Sequence, residues 1–192
     1  MSALKILVVP GSLRTGSLNV KLAATIAAEF VQAGVDVTRI SLGDFPLPIY
    51  DGDLQAQSGV PRSAINLKRM MSSHHGVLIV TPEYNASIPS LLKNAIDWVS
   101  RVQDPHETRR QVFRERPFAI ASASGGRLGG TRALMALRLI LTACQAPVIP
   151  NQLALSFANE AYDDKDRLRL PADIEALKAL VRQLIEFSQR TM

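Results

Sequence analysis

Leu4-Lys5-Ile6-Leu7-Val8-Val9 leads straight into Pro10-Gly11-Ser12-Leu13-Arg14-Thr15-Gly16-Ser17-Leu18-Asn19, and the join between the two decides the fold. The first stretch is a short apolar run, the pattern of a strand buried on both faces. From Val20 to Gly34 the chain is alanine-rich, with apolar residues on a helical period. The loop therefore joins a strand to a helix N-terminus. Backbone N–H groups there lack partners within the helix, and the helix dipole adds partial positive charge. An anion is the natural occupant. Two glycines permit tight turns, while Ser12, Ser17 and Asn19 bring short polar side chains. Arg14 adds a fixed charge that can form paired hydrogen bonds to phosphate.

The loop is not a Walker A sequence, because no Gly-Lys-Ser/Thr follows the first glycine at the required spacing. It is not the dinucleotide fingerprint either, since Leu13 stands where a second glycine must let a pyrophosphate approach. A hydroxyl-rich loop with one arginine suits the dianionic terminal phosphate of a mononucleotide. The alternative is an ordinary strand-to-helix turn with Ser17 as its N-cap.

Working outward, Asp36 to Ile40 alternates like a short strand, and Gly43 to Gly52 carries too many breakers for a regular element. That breaker-rich loop reads as a packed surface loop or as a rim over a pocket with Tyr50 as its contact. Pro61 to His74 has helical spacing, and His74-His75 at its end suits a solvated turn better than a metal site. Gly76 to Thr81 is a second continuous apolar strand, running into Pro82-Glu83-Tyr84-Asn85 and then a helix from about Ile88. Residues 101–116 form a polar loop with five arginines, which reads as a solvated segment, a subunit contact or a site for a 2′-phosphate. Pro117 to Ser122 is the next strand and ends in Ala123-Ser124-Gly125-Gly126-Arg127-Leu128-Gly129-Gly130, where backbone can approach a flat ligand closely. Thr131 to Ala143 is helical and apolar on nearly every side, which points to burial against a partner subunit. Ala146 to Pro150 gives a short last strand, Asn159 to Arg169 a charged loop, and Pro171 to Gln189 a closing helix.

A chain of 192 residues, 47% of them hydrophobic, suits one domain over residues 1–192 with a sizeable core. No apolar run reaches the roughly 20 residues needed to span a bilayer, and the N-terminus lacks signal-peptide features. The single cysteine, Cys144, cannot form an internal disulfide, which fits a reducing compartment; the expected location is the cytoplasm. A net charge of +5 and a pI near 9.7 favour small anionic ligands. Nucleic acid is disfavoured, because the basic residues are scattered and aromatics are only 5%.

Strand candidates alternating with helical segments argue for a parallel sheet with helices on both faces. Ligands in such α/β folds bind beyond the carboxyl ends of the strands. The three unusual loops follow the first, third and fourth strands and share that edge. A phosphate site at one end and backbone groups facing a flat heterocycle at the other describe flavin mononucleotide.

Gly11 to Asn19, Pro82-Glu83-Tyr84-Asn85, Leu92-Lys93-Asn94-Ala95-Ile96-Asp97-Trp98 and Ser124 to Gly130 together resemble the NAD(P)H-dependent FMN reductase family, which includes quinone, azo-dye and chromate reductases. The resemblance runs from about Lys5 to Pro150 and departs at Pro89-Ser90-Leu91, where many relatives carry Pro-Gly. It implies a flavodoxin-like three-layer sandwich with a five-stranded parallel sheet in the order 2-1-3-4-5. It also implies that Ser12, Arg14, Ser17, Leu18 and Asn19 hold the FMN phosphate. Pro82, Glu83, Tyr84 and Asn85 would line the isoalloxazine, and Ser124 and Gly125 would approach its remaining polar edge. No metal and no dedicated catalytic side chain are implied, because hydride transfer is the cofactor's chemistry. Glu83 is expected to bond to backbone or to a subunit neighbour.

The implied activity takes electrons from NADPH or NADH through FMN to a quinone or another small acceptor, in a homodimer or homotetramer. Three other readings stand beside it. One is a flavodoxin-type carrier that does not oxidise NAD(P)H, although small flavodoxins are often acidic. Another is a reductase that treats FMN as a diffusing substrate. The most remote is a phosphate-ester hydrolase, which would need a cysteine nucleophile that the first loop lacks.

Overall fold

A computed structural model describes residues 3–191. Five parallel strands form one sheet: β1 (Lys5–Pro10), β2 (Asp36–Arg39), β3 (Gly76–Val80), β4 (Phe118–Ala123) and β5 (Val148–Leu155), in the spatial order β2-β1-β3-β4-β5. This is the expected order. Residues 6–10, all of β3 and all of β4 are buried, because a parallel sheet carries its crossover helices on both faces.

The alternation of side chains along each strand divides the core in two. Ile6, Val8, Leu78, Val80 and Ala121 face α1 (Leu18–Gln32) and α7 (Pro171–Arg190), where Leu22, Ile26, Phe30, Leu180 and Leu184 meet them. Leu7, Val9, Val77, Ile79 and Ile120 face the opposite way. Their partners lie on α3 (Arg62–Ser72), α4 (Ser90–Val99) and α6 (Thr131–Ala143), including Leu67, Leu92, Ile96, Leu134 and Leu137.

Two elements differ from the expectation. The breaker-rich region holds a 3-10 turn (Leu42–Asp44), and beyond it α2 (Gly52–Ser58) forms. No residue of α2 is buried, so it has no apolar periodicity to read; the Asp51 carboxylate starts it by accepting from the amides of Asp53 and Leu54. The last strand continues past Pro150 to Leu155. It tolerates the proline because it lies at the sheet edge, with an irregular register against β4 between Phe118 and Ile120.

Loop 45–50 is clamped onto α4. Trp98 Nε1 and Asn94 Nδ2 both donate to the Pro48 carbonyl, at 2.7 and 2.8 Å, and the Tyr50 amide donates to Asn94 Oδ1. The Tyr50 ring meets Trp98 edge-on at 5.1 Å, so Tyr50 is a packing residue.

The arginine-rich segment contains the short helix α5 (Gln111–Arg114) and lies at the amino end of the strands, between the end of α4 and the start of β4. Lys68 on α3 anchors it. Its buried ammonium bonds Asp104 Oδ2 at 2.7 Å and also Glu107. Arg116 is buried and donates to the carbonyls of His74 and Val112, while Arg110 donates to that of Ala143. These arginines serve the local fold, at the edge opposite the three loops. The histidines of the 74–75 pair also have structural partners: His74 Nδ1 lies 2.7 Å from the Met70 carbonyl, and His75 Nδ1 accepts from the Lys5 amide at 2.9 Å.

Beyond β3, Tyr84-Asn85-Ala86-Ser87 closes a tight turn. The amides of Tyr84 and Ser87 each donate to the other's carbonyl, and Asn85 and Ala86 have φ of 51° and 64°. Positive φ at both central positions defines a type I′ turn, and Ala86 is a residue that resists that region.

Replacing Ala86 with glycine relieves this and is expected to stabilise the protein by about 0.5 kcal/mol, after the extra unfolded-chain entropy of glycine is subtracted. Thermal unfolding checks it; a lower Tm would contradict the turn assignment. Lys68→Ala leaves Glu107 without its partner and is expected to cost about 2 kcal/mol, or roughly 4–8 °C in Tm. Burial alone would lower the Lys68 pKa, but the hydrogen bonds and charges of Asp104 and Glu107 together raise it above 10.5. The hydrogen bond and charge of Lys68 lower the Asp104 pKa below 3.8. The cluster's contribution is therefore complete in the neutral range. It fades in alkali as pH rises through the elevated Lys68 value, and in acid as pH falls below 3.8 through the depressed Asp104 value. Denaturant titrations of wild type and Lys68→Ala across pH should converge at both extremes.

Candidate functional site

The sheet order places the reversal of chain direction between β1 and β3: the chain moves from β1 outward to β2, then crosses back to β3. A crevice forms outside the carboxyl ends at such a point. The loops after β1, β3 and β4 all lie on that edge.

The first loop is held to β3 by the Gly11 amide, which donates to the Val80 carbonyl at 2.8 Å. Gly16 turns at φ 69°, and Ser17 stands at the N-cap position with extended backbone. Its hydroxyl does not cap the helix, however. The first intrahelical donor is Lys21, whose amide reaches the Ser17 carbonyl at 3.1 Å. The amides of Leu18, Asn19 and Val20 therefore lie ahead of the helical ladder, free of main-chain or side-chain acceptors among the described residues. Ser12 and Ser17 are buried beside them, and exposed Arg14 makes no ion pair among the described residues.

Asn19 is committed elsewhere by its side chain. Its Nδ2 donates to the Ala123 carbonyl at 2.9 Å, and its Oδ1 accepts from the Ala123 amide at 2.8 Å. This pair of hydrogen bonds ties the start of α1 to the end of β4, leaving the Asn19 main-chain N–H for a ligand.

In the second loop, Pro82 is buried, Glu83 is half-buried, and the Tyr84 side chain stands 50% exposed at the rim beside exposed Asn85. Within the chain, the Glu83 carboxylate bonds a side chain and not the expected backbone. Arg132, on the first turn of α6, donates through Nε to Glu83 Oε1 at 2.7 Å. Among the described residues Glu83 Oε2 is buried without a partner, and so is Ser122 Oγ at the end of β4. Unpartnered buried polar atoms are costly and concentrate where function outranks stability.

The third loop owes its path to glycine. A Cβ on Gly130 (φ 86°) would overlap Ser122 Oγ, and one on Gly129 (φ 59°) would lie 2.7 Å from the Ala154 carbonyl oxygen. Gly125 passes close to Asn159, with a hypothetical Cβ 2.7 Å from Nδ2. The Ser124 hydroxyl accepts from the Gly126 amide, and Ser124 is partly exposed at the crevice edge with bare backbone at Gly125 beside it.

The structure thus gathers all the sequence-derived site residues at one sheet edge. Sequence reading missed Arg132, which lies outside every motif. An arginine at the start of a helix is unremarkable until Glu83 is seen opposite it. Cys144 is buried, and that burial pushes its thiol pKa up, as expected of a packing residue.

Comparison with known proteins agrees with this geometry. The family model described as NADPH-dependent FMN reductase matches residues 4–160. A quinone reductase of Escherichia coli is 40% identical over 147 residues, covering 76% of this chain and 73% of that protein. An NAD(P)H-dependent FMN reductase of Pseudomonas aeruginosa is 35% identical over 189 residues, covering 94% and 97%. Among solved structures, a flavoenzyme NAD(P)H:(acceptor) oxidoreductase of Paracoccus denitrificans superposes with a TM-score of 0.80 at 27% identity, covering 98% of this chain and 99% of that one. The matched span takes in all three loops, and the chain belongs to the NADPH-dependent FMN reductase family.

Proposed function

We propose that the three loops hold FMN and that the protein carries electrons from NADPH or NADH to a quinone or a similar flat acceptor. The observation that carries this reading is the uncapped start of α1, where among the described residues three amides are unengaged, the Ser17 hydroxyl does not cap and Arg14 makes no ion pair. That donor set suits a phosphate dianion. The neighbouring loops offer a tyrosine ring, the amides of an exposed turn and glycine backbone, which suit a planar heterocycle with polar edges. The residues therefore fit FMN.

In this assignment Ser12, Arg14, Ser17 and the amides of Leu18 and Asn19 bind the phosphate. Pro82, Glu83, Tyr84 and Asn85 line one side of the ring system, and Ser124 and Gly125 approach its other edge. Bound FMN supplies the hydride and electron chemistry. The chain's own task is to orient: Asn19 fixes the first loop against β4, Arg132 holds Glu83 and hence the second loop, and the turn at 84–87 presents the Tyr84 ring. Backbone donors at the second loop favour negative charge developing nearby. The nicotinamide donor and the acceptor occupy one site in turn, so initial-velocity lines at several acceptor concentrations should be parallel.

We infer a homo-oligomer, a dimer or tetramer. Met135 and Leu139 on α6 are 66% and 72% exposed, and Leu128 and Phe157 flank the third loop at 52% and 54%. A second copy over this apolar surface would also wall the crevice on its open side. Among the described residues, no helix is long and apolar enough to cross a membrane. We assign the chain to the cytoplasm, where NADPH and NADH are supplied, and read residues 1–192 as one FMN-binding domain. The names of its relatives favour a reductase over a flavodoxin-type carrier.

Purified, desalted protein supplemented with FMN should show a bound-flavin spectrum that bleaches under anaerobic NADPH. Binding without bleaching would move the assignment to an electron carrier, flavin lost again on desalting would make FMN a substrate, and absence of binding would overturn the site. Arg14→Ala should weaken FMN binding about tenfold or more, measured by flavin fluorescence quenching.

A further inference from the structure

A cavity of about 250 Å³ lies between the first loop and α4, and none of the residues assigned to FMN lines it. Leu13 forms one wall, Leu91 and Ala95 of α4 a second, and Leu42, Phe45 and Leu47 a third. Leu91 stands in the first turn of α4, where the chain leaves the second loop. Leu13 belongs to the first loop, where its apolar side chain is half exposed. The cavity therefore borders two of the three loops.

The segment after β2 closes the cavity and is itself fixed. A Cβ on Gly43 would lie 3.3 Å from Leu13 Cδ2, so the segment runs in contact with the first loop. Further on, Trp98 and Asn94 hold the Pro48 carbonyl against α4. The lining chemistry is one-sided. Among the described residues no charged side chain lines the cavity, and its polar side chain, Asn94, has its amide committed to Pro48 and Tyr50. Such walls disfavour phosphate, ribose or carboxylate, and they favour hydrocarbon by about threefold in affinity for each methylene buried. The volume is below the roughly 300–1,000 Å³ of a complete small-molecule site, so it suits one part of a ligand. The remainder must lie outside, and the loops that border the cavity are those of the crevice.

We propose that this cavity takes the alkyl or prenyl substituent of a quinone whose ring lies at the flavin loops. Leu13, Leu47 and Leu91 then set a preference for alkyl-substituted quinones over those with small substituents. The inference rests on the reading of the crevice as an FMN site with a quinone as acceptor, and it names the class of quinone.

The test compares 2-methyl-, 2-propyl- and 2-pentyl-1,4-benzoquinone on FMN-loaded wild type, on Leu91→Trp, which fills the cavity, and on Leu47→Gln, which makes it polar. Isothermal titration of the oxidised enzyme without NADPH reads binding, and steady-state kinetics with NADPH read kcat/KM. In wild type, affinity and kcat/KM should both rise about tenfold or more from methyl to pentyl. In each variant the pentyl-to-methyl ratio should fall to about one. A wild type indifferent to chain length, or a ratio that persists in both variants, would overturn the proposal. So would a cavity filled by a second copy, seen as indifference to chain length together with a lower mass of Leu91→Trp in sedimentation. The methylquinone separates the two readings. A wild type that retains no FMN, or does not pass electrons from NADPH to this quinone, sinks both, whereas a flavin-bearing quinone reductase blind to chain length sinks only this one.

Discussion

Parallel pairing constrains this molecule more than any other interaction. Each strand must be followed by a crossover over one face of the sheet, so every strand end at the carboxyl edge becomes the start of a connection. The order β2-β1-β3-β4-β5 sends successive crossovers in opposite directions on either side of β1. Residues far apart in sequence, such as Ser12, Tyr84 and Ser124, meet at that edge as a consequence. The two halves of the core, one under α1 and α7 and the other under α3, α4 and α6, hold the sheet rigid beneath them.

Rigidity of the sheet does not by itself fix the loops. The paired bonds between Asn19 and Ala123 lock the first loop to the third, and the Arg132–Glu83 pair locks the second to the helix that follows the third. Each lock joins one loop to an element that begins or ends at another, so the three are tied together. The cost shows at Glu83 Oε2 and Ser122 Oγ, which lie buried without partners, and at Ala86, held in a backbone region that suits glycine.

Much of this was legible in the sequence because it rests on periodicity and on glycine. Residues 5–10, 76–80 and 118–123 read as strands because burial on both faces leaves a continuous apolar run. The helices at 131–143 and 171–190 show their apolar faces in their spacing. What could not be read has local or long-range causes. α2 buries nothing and depends on the Asp51 cap, and β5 hides behind Pro150 because only an edge strand tolerates that proline. Asn19 was legible as a polar loop residue, but not as the partner of Ala123, 104 positions away. Arg132 carries no local signature, since an isolated arginine acquires meaning only from what the fold sets opposite it.

The burial of Cys144 has a chemical consequence that matters for a chain whose relatives include quinone reductases. Quinones are soft electrophiles that add to thiolates, so an enzyme that meets them at every turnover exposes its own cysteines to arylation. Here the single cysteine sits at the end of α6, 7% exposed, and its surroundings disfavour loss of the thiol proton. The packing that closes the core beneath α6 therefore also shields the thiol from electrophiles, and the fold has chemical endurance built into it as well as thermal stability.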